Sequence, residues 1–189
     1  MGSLKIGAAR LSELLQEIGE GKGTRMISAL LDYGERRMRA EIDTLPDGDY
    51  FGEDGSDTDC FQSIEVPVKV KVTVLGSNLV FDFTGSAPQI RGFKNSSLAN
   101  THSAVYVAVA AFLGPTLSRN SGAFRSVSIV APLGTVINAP APAPMTMNTI
   151  FPATDIVMAC WKALATAGPA RACAGWASHL TAPAGSCLA

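Results

Sequence analysis

The sequence predicts an α+β fold: an N-terminal helical hairpin over residues 1–46, then a mixed, mainly antiparallel β-sheet with packed helices over residues 47–189. Three observations predict it. Apolar residues recur at spacings of three and four from Leu4 to Ile42 and again after Ala153, which is the helical period. They alternate with polar ones from Val66 to Val74, which is the period of a half-buried strand. Apolar residues make up 47% of the chain and charged residues 16%, against about 25% charged in an average soluble domain, which argues against intrinsic disorder.

Leu4, Ala8, Leu11, Leu15 and Ile18 form one helical stripe. Gly19, Gly21 and Gly23 then interrupt it, and Thr24 is expected to cap a second helix carrying Ile27, Leu30, Leu31, Met38 and Ile42. Pro46 stops that helix. Two amphipathic helices in a hairpin need a further surface to cover their stripes.

Charge is uneven after the hairpin. Asp47, Asp49, Glu53, Asp54, Asp57, Asp59 and Glu65 follow one another without a single Lys or Arg. This strip is expected to be a solvated loop, since no register in it supplies the ligand spacing of a calcium loop. Val66–Val74 and Leu79–Phe83 flank Gly76-Ser77-Asn78 and predict a β-hairpin. Ala99–Leu113 predicts a buried helix ended by Gly114-Pro115. Phe124–Val130 predicts a strand, with Val136-Ile137 as a short extended piece. Pro140, Pro142, Pro144 and Pro152 predict a polyproline-like connection, and Ala153–Ala167 a last helix closed by Gly168-Pro169.

A net charge of −1 gives no general attraction to nucleic acid. The apolar run Ala104–Leu113 is about half of the ~20 residues that span a bilayer. Met1-Gly2-Ser3-Leu4 has no basic-then-apolar leader, so a cytoplasmic location with reduced thiols is expected. Gly19–Thr24 only imitates a phosphate loop, because Gly23 follows Lys22 where Ser or Thr is required. No G-x-S-x-G elbow occurs. Cys173, His179 and Cys187 have no compact zinc-knuckle spacing, and no metal site is expected on this chain.

The segment from Asp82 to Asn95 stands apart. It leaves a strand and gathers Asp82, Thr84, Gln89, Arg91 and Asn95 around Gly85 and Gly92, the composition of a loop that lines a site or of a long turn whose polar groups satisfy one another.

That loop, Asp82-Phe83-Thr84-Gly85-Ser86-Ala87-Pro88-Gln89-Ile90-Arg91-Gly92 followed by Asn95, resembles the D-F-[ST]-G-[ST]-x-P-Q-[VI]-x-G-x-x-N signature of the hydantoinase B/oxoprolinase family. That family includes N-methylhydantoinase B-type subunits and the alpha-type subunits of acetone and acetophenone carboxylases. Tyr33–Arg39, Leu45–Tyr50, Ser103–Tyr106, Asn120–Val127 and Ile129–Asn138 resemble further family blocks in the same order. Family subunits are much longer, and the chain resembles their central part. The upstream N-D-P-x-x-G-G-x-H-x-x-D metal motif of relatives has no counterpart here, and Met145–Thr149 replaces a G-N-x-E-T stretch, which leans toward the carboxylase-like branch.

The resemblance implies a subunit or fragment of an ATP-dependent hydantoinase/oxoprolinase or ketone carboxylase, acting beside a hydantoinase A-type, ATP-using partner on a cyclic amide or ketone. ATP and a divalent metal are expected in the complete complex and neither on this chain alone. Substrate-binding candidates are Asp82, Thr84, Gln89, Arg91, Asn95, His102, Arg125 and Asn138. Arg91 suits a carboxylate or phosphate because a guanidinium binds such groups bidentately. His102, alone at the start of an apolar helix, is the weakest of them. The competing expectation is a non-catalytic assembly module of such a complex.

Overall fold

A computed structural model describes residues 2–114 and 117–168. The expected Cys173, His179 and Cys187 lie outside the described residues. The elements run α1 (Gly2–Ile18), α2 (Glu20–Ile42), β1 (Gly48–Ser56), β2 (Val66–Leu75), β3 (Asn78–Asp82), α3 (Leu98–Leu113), a 3₁₀ turn (Ala123–Ser126), β4 (Val127–Val130) and α4 (Ala153–Ala167). This is the α+β arrangement expected.

The sheet has the order β1-β2-β3-β4, with β1–β2 and β2–β3 antiparallel and β3–β4 parallel. Val66, Val68, Val70, Val72 and Val74 all point into the core, and Lys69, Lys71 and Thr73 to the opposite face, as period-two alternation requires. Helix α4 covers the core side of β1 and β2, and α3 packs on α4. Ile156, Val157, Cys160 and Leu164 of α4 join Phe81, Phe83, Val105 and Val109 in one apolar cluster. Trp161 anchors the helix pair by donating its Nε1–H to the Ala108 carbonyl at 3.0 Å.

Five local expectations are corrected. The acidic strip is not all loop: its first half is β1, paired along its whole length with β2. Gly52 makes this possible, since a Cβ there would fall 2.0 Å from the Ala159 carbonyl oxygen, so only glycine lets α4 lie this close to the strand. The carboxylates find cations on neighbouring elements: Glu53 meets Lys69 at 3.6 Å and Asp54 meets Lys162 at 2.7 Å.

Thr24 does not cap α2. The helix begins at Glu20, directly after Gly19 at φ +86°, and the Thr24 hydroxyl donates back to the Glu20 carbonyl at 2.9 Å. One glycine in a conformation other residues rarely adopt is a sufficient break, so Gly21 and Gly23 are absorbed into the helix. The expected strand from Phe124 opens instead with the 3₁₀ turn, because Asn120 accepts from the Ala123 amide through both its side chain and its carbonyl. Finally, residues 138–152 are a chain of turns rather than a polyproline rod, and so is Val136-Ile137. The Ala143 amide donates to Pro140 and the Ile150 amide to Met147.

Candidate functional site

The face of the sheet opposite α4 is open, and the strand registers place side chains on it in rows. Phe51 stands opposite Lys71, Lys71 opposite Asp82, and Asp82 opposite Val130, giving one row across all four strands. Glu53 and Lys69 form the next row. Phe51, Glu53, Lys69, Lys71 and Asp82, together with Thr84, line an open pocket of about 460 Å³. Phe51 is 70% exposed and supplies an apolar wall beside two ammonium groups and two carboxylates.

Asp82 is held in place by its neighbour. Its Oδ1 accepts from the Thr84 hydroxyl at 2.6 Å and from the Thr84 amide at 2.9 Å. These two bonds, led by the hydroxyl, and the charge of Lys71 hold its carboxyl below the ordinary carboxylate range against the opposing effect of burial. An Asp so held is ionised at neutral pH and acts as a fixed negative charge or acceptor, not as a proton donor. Lys69 and Lys71 can hold a carboxylate or a phosphate as point charges.

The other expected residues lie elsewhere. Asn95 is fully buried and ties its loop shut: Oδ1 accepts from the Ile90 amide, while Nδ2 donates to the Ile90, Gly92 and Pro144 carbonyls. Its hydrogen-bonding capacity goes into the loop. Gln89 is exposed and enters the loop through its amide, donating to Gly134. Arg91 lies 4.2 Å over the Phe61 ring, close enough that its charge helps depress Asp59, whose carboxyl is held low chiefly by the amides of Phe61 and Gln62.

Arg125 reaches back to α2, with Nη1 2.9 Å from Asp32 and 3.0 Å from Glu35. Asn138 donates to the Ala131 carbonyl and closes the turn between them. His102 meets the edge of Tyr106, which stacks on Phe124 at 4.2 Å. Of the eight expected residues, then, the open face brings together Asp82 and Thr84.

Phe51, Glu53, Lys69 and Lys71 were missed. The two lysines were legible, because the tight turn at Gly76-Ser77 fixes a register that sets Lys71 against Asp82. Phe51 and Glu53 were hidden by the reading of their strand as loop. Among the described residues no group of three or more His, Cys, Asp or Glu is placed to hold a metal ion.

Comparison with known proteins gives this fold a context. The Hydantoinase B/oxoprolinase profile matches residues 1–186. The B-type subunit of a putative D-/L-hydantoinase from Pseudomonas sp. (strain NS671) is 32% identical over 93% of this chain and 31% of its own length. The beta chain of the caprolactamase of Pseudomonas jessenii is 32% identical over 93% of this chain and 30% of its own length. A crystal structure of ATP-dependent caprolactamase from that organism superimposes with a TM-score of 0.81 at 31% identity, over 90% of this chain and 29% of that one. An acetone carboxylase structure shares the fold, with a TM-score of 0.71 at 19% identity over 87% of this chain and 24% of that one. The chain thus spans about a third of the length of the curated relatives it matches. With nearly every residue inside the matched profile, the chain belongs to the hydantoinase B/oxoprolinase family.

Proposed function

We propose that this chain is part of a subunit of an ATP-dependent enzyme that opens a cyclic amide, working in the cytoplasm with a hydantoinase A-type, ATP-using partner. The observation that carries it is the 32% identity to components of both a hydantoinase and a caprolactamase, two names that share a ring amide as target. An amide resists attack because its C–N bond has partial double-bond character, so coupling to ATP has a clear chemical purpose. The acetone carboxylase likeness, at 19% identity, supports the fold alone, and the lean toward carboxylation is weaker than the lactam reading.

In this reading the nucleotide and the metal belong to the rest of the complex, and Gly19–Thr24 serves as the hinge and first turns of α2. The role proposed for this chain is to bind and orient. Lys69 and Lys71 hold an anionic group, Phe51 shields an apolar part of the substrate, and Asp82, fixed by Thr84, orients a donor such as a ring N–H.

The second reading, a non-catalytic assembly module, draws on Asn95, Arg125 and Asn138, whose side chains each bond to groups within the fold. The full-length protein and its partner, assayed together for lactam opening coupled to ATP consumption, separate the two. The first reading expects Lys71→Ala and Asp82→Asn to cut turnover at least about tenfold, the scale of one lost charge-assisted contact, with the complex still assembled. Unchanged turnover in both variants would establish the assembly reading.

A further inference from the structure

Strand β3 pairs with β2 as far as Asp82 and Lys71. Carried on, that register would set Thr84 against Lys69. It is not carried on, because Phe83-Thr84-Gly85-Ser86 makes a tight turn. The Ser86 amide donates to the Phe83 carbonyl at 3.1 Å, and Gly85 takes φ +93°, a conformation that glycine adopts without strain. The turn is what brings the Thr84 amide and hydroxyl onto Asp82. It also takes from Lys69 the strand residue that would have paired with its backbone.

The Ser86 side chain fills that place. The Lys69 amide donates to Ser86 Oγ at 3.0 Å, and the Ser86 hydroxyl donates to the Lys69 carbonyl at 3.1 Å. One hydroxyl thus supplies both the acceptor and the donor that a strand partner supplies through its carbonyl and amide. Ser86 is 8% exposed, so water does not readily take over either bond. Next to it the Ala87 amide donates to the Pro67 carbonyl at 2.8 Å, which keeps the loop alongside β2. The Lys69 stem passes Gly85, where a Cβ would lie 3.9 Å from Lys69 Cδ.

We infer that Ser86 is a positioning residue for the open face: its hydroxyl fixes the backbone of Lys69, so that the Lys69 ammonium is presented beside that of Lys71 to one anionic group. The inference rests on the proposed reading that these two lysines hold such a group. Lys71 is set by its pairing with Asp82 on β3, and Lys69, one step past the end of that ladder, is set by Ser86. One turn therefore orients both signs of charge in the site, Asp82 through Thr84 and Lys69 through Ser86.

The full-length protein with its partner, assayed for lactam opening coupled to ATP consumption, tests this in a double-mutant cycle. Ser86→Ala should lower kcat/KM about fivefold, the scale of one neutral hydrogen bond, and speed hydrogen exchange at the Lys69 amide. Ser86→Thr, which keeps the hydroxyl, should recover most of the loss. In a Lys69→Ala background, Ser86→Ala should cost nothing further, because the group it positions is gone. Should Ser86→Ala fail to assemble, Ser86→Cys, whose thiol is a weak donor and acceptor, takes its place in the cycle with a smaller loss. Unchanged kcat/KM in the Ser86 variant beside a loss in Lys69→Ala overturns the inference and leaves the site reading standing. An equal loss from Ser86→Ala with and without Lys69 also overturns it, since that is the mark of a purely structural role. Lys69→Ala without effect overturns the site reading and the inference together.

Discussion

Gly122 lies against Leu31 so closely that a Cβ on it would fall 2.0 Å from the Leu31 carbonyl oxygen. This backbone-to-backbone contact is what seats α2 on the 3₁₀ turn, and neither partner can yield as a flexible side chain could. Gly122→Ala is expected to destabilise the chain by about 3 kcal/mol, the upper range for overpacking a fitted site. A urea titration followed by circular dichroism measures it. Gly21→Ala is the control: its Cβ would meet only the Arg25 guanidinium at 3.7 Å, and the helix should gain a few tenths to ~1 kcal/mol from the better helix former.

Asn95→Asp changes one atom and removes both donors from the buried loop knot. The Ile90, Gly92 and Pro144 carbonyls lose their partner and a carboxylate is buried among them. A loss of about 3 kcal/mol is expected, since each buried group left unsatisfied costs ~1–3 kcal/mol. Limited proteolysis should show new cleavage between residues 88 and 97, with β2 and β3 still protected.

Thr84→Val keeps the side-chain shape and deletes the hydroxyl that dominates the Asp82 environment. The Asp82 carboxyl should then titrate nearer the ordinary value of about 3.9, as read by carboxyl-carbon NMR. The sign for stability follows from linkage. Asp82 has a depressed pKa in the folded chain, so its contribution is present above the unfolded value and lost as pH falls through the folded one. Wild type should therefore lose stability in that acid window, and Thr84→Val should lose less of it because there is less to lose.

Arg125→Ala should lower the melting temperature slightly in low salt and hardly at all in high salt. Its pairs with Asp32 and Glu35 are partly exposed, where screening removes most of the benefit. A salt series of thermal melts on wild type and variant checks this.

Cys160 is fully buried and burial pushes its thiol up, far from a reactive thiolate. Cys60 is half-buried at φ +81°. Alkylation resolved by peptide mass spectrometry should modify Cys60 in the native chain and Cys160 only after denaturation.

Periodicity revealed α4 to the residue and the β2–β3 pair to within one or two, because both elements are half-buried and their patterns record which side faces the core. It failed at β1 for a physical reason. Gly48, Gly52 and Gly55 leave that strand without the side chains that write an alternation, and its stability comes from pairing with β2 and from α4 above it. The candidate site was half legible. Asp82 and Thr84 are close together in their loop, whereas Phe51 and Glu53 reach them through a strand that the sequence conceals. Arg125 and Asn95 have residue types that suit a binding site, and only their distances to Asp32, Glu35 and Gly92 show where those groups are spent.

Strand β1 forms one rim of the sheet, and a rim of unpaired amides and carbonyls invites any extended chain to add on. Here the rim carries Asp49, Glu53 and Asp54, with glycines between them in place of sticky β-branched residues. Two such rims brought together would repel each other. The carboxylates thus guard this edge against fibre-like stacking.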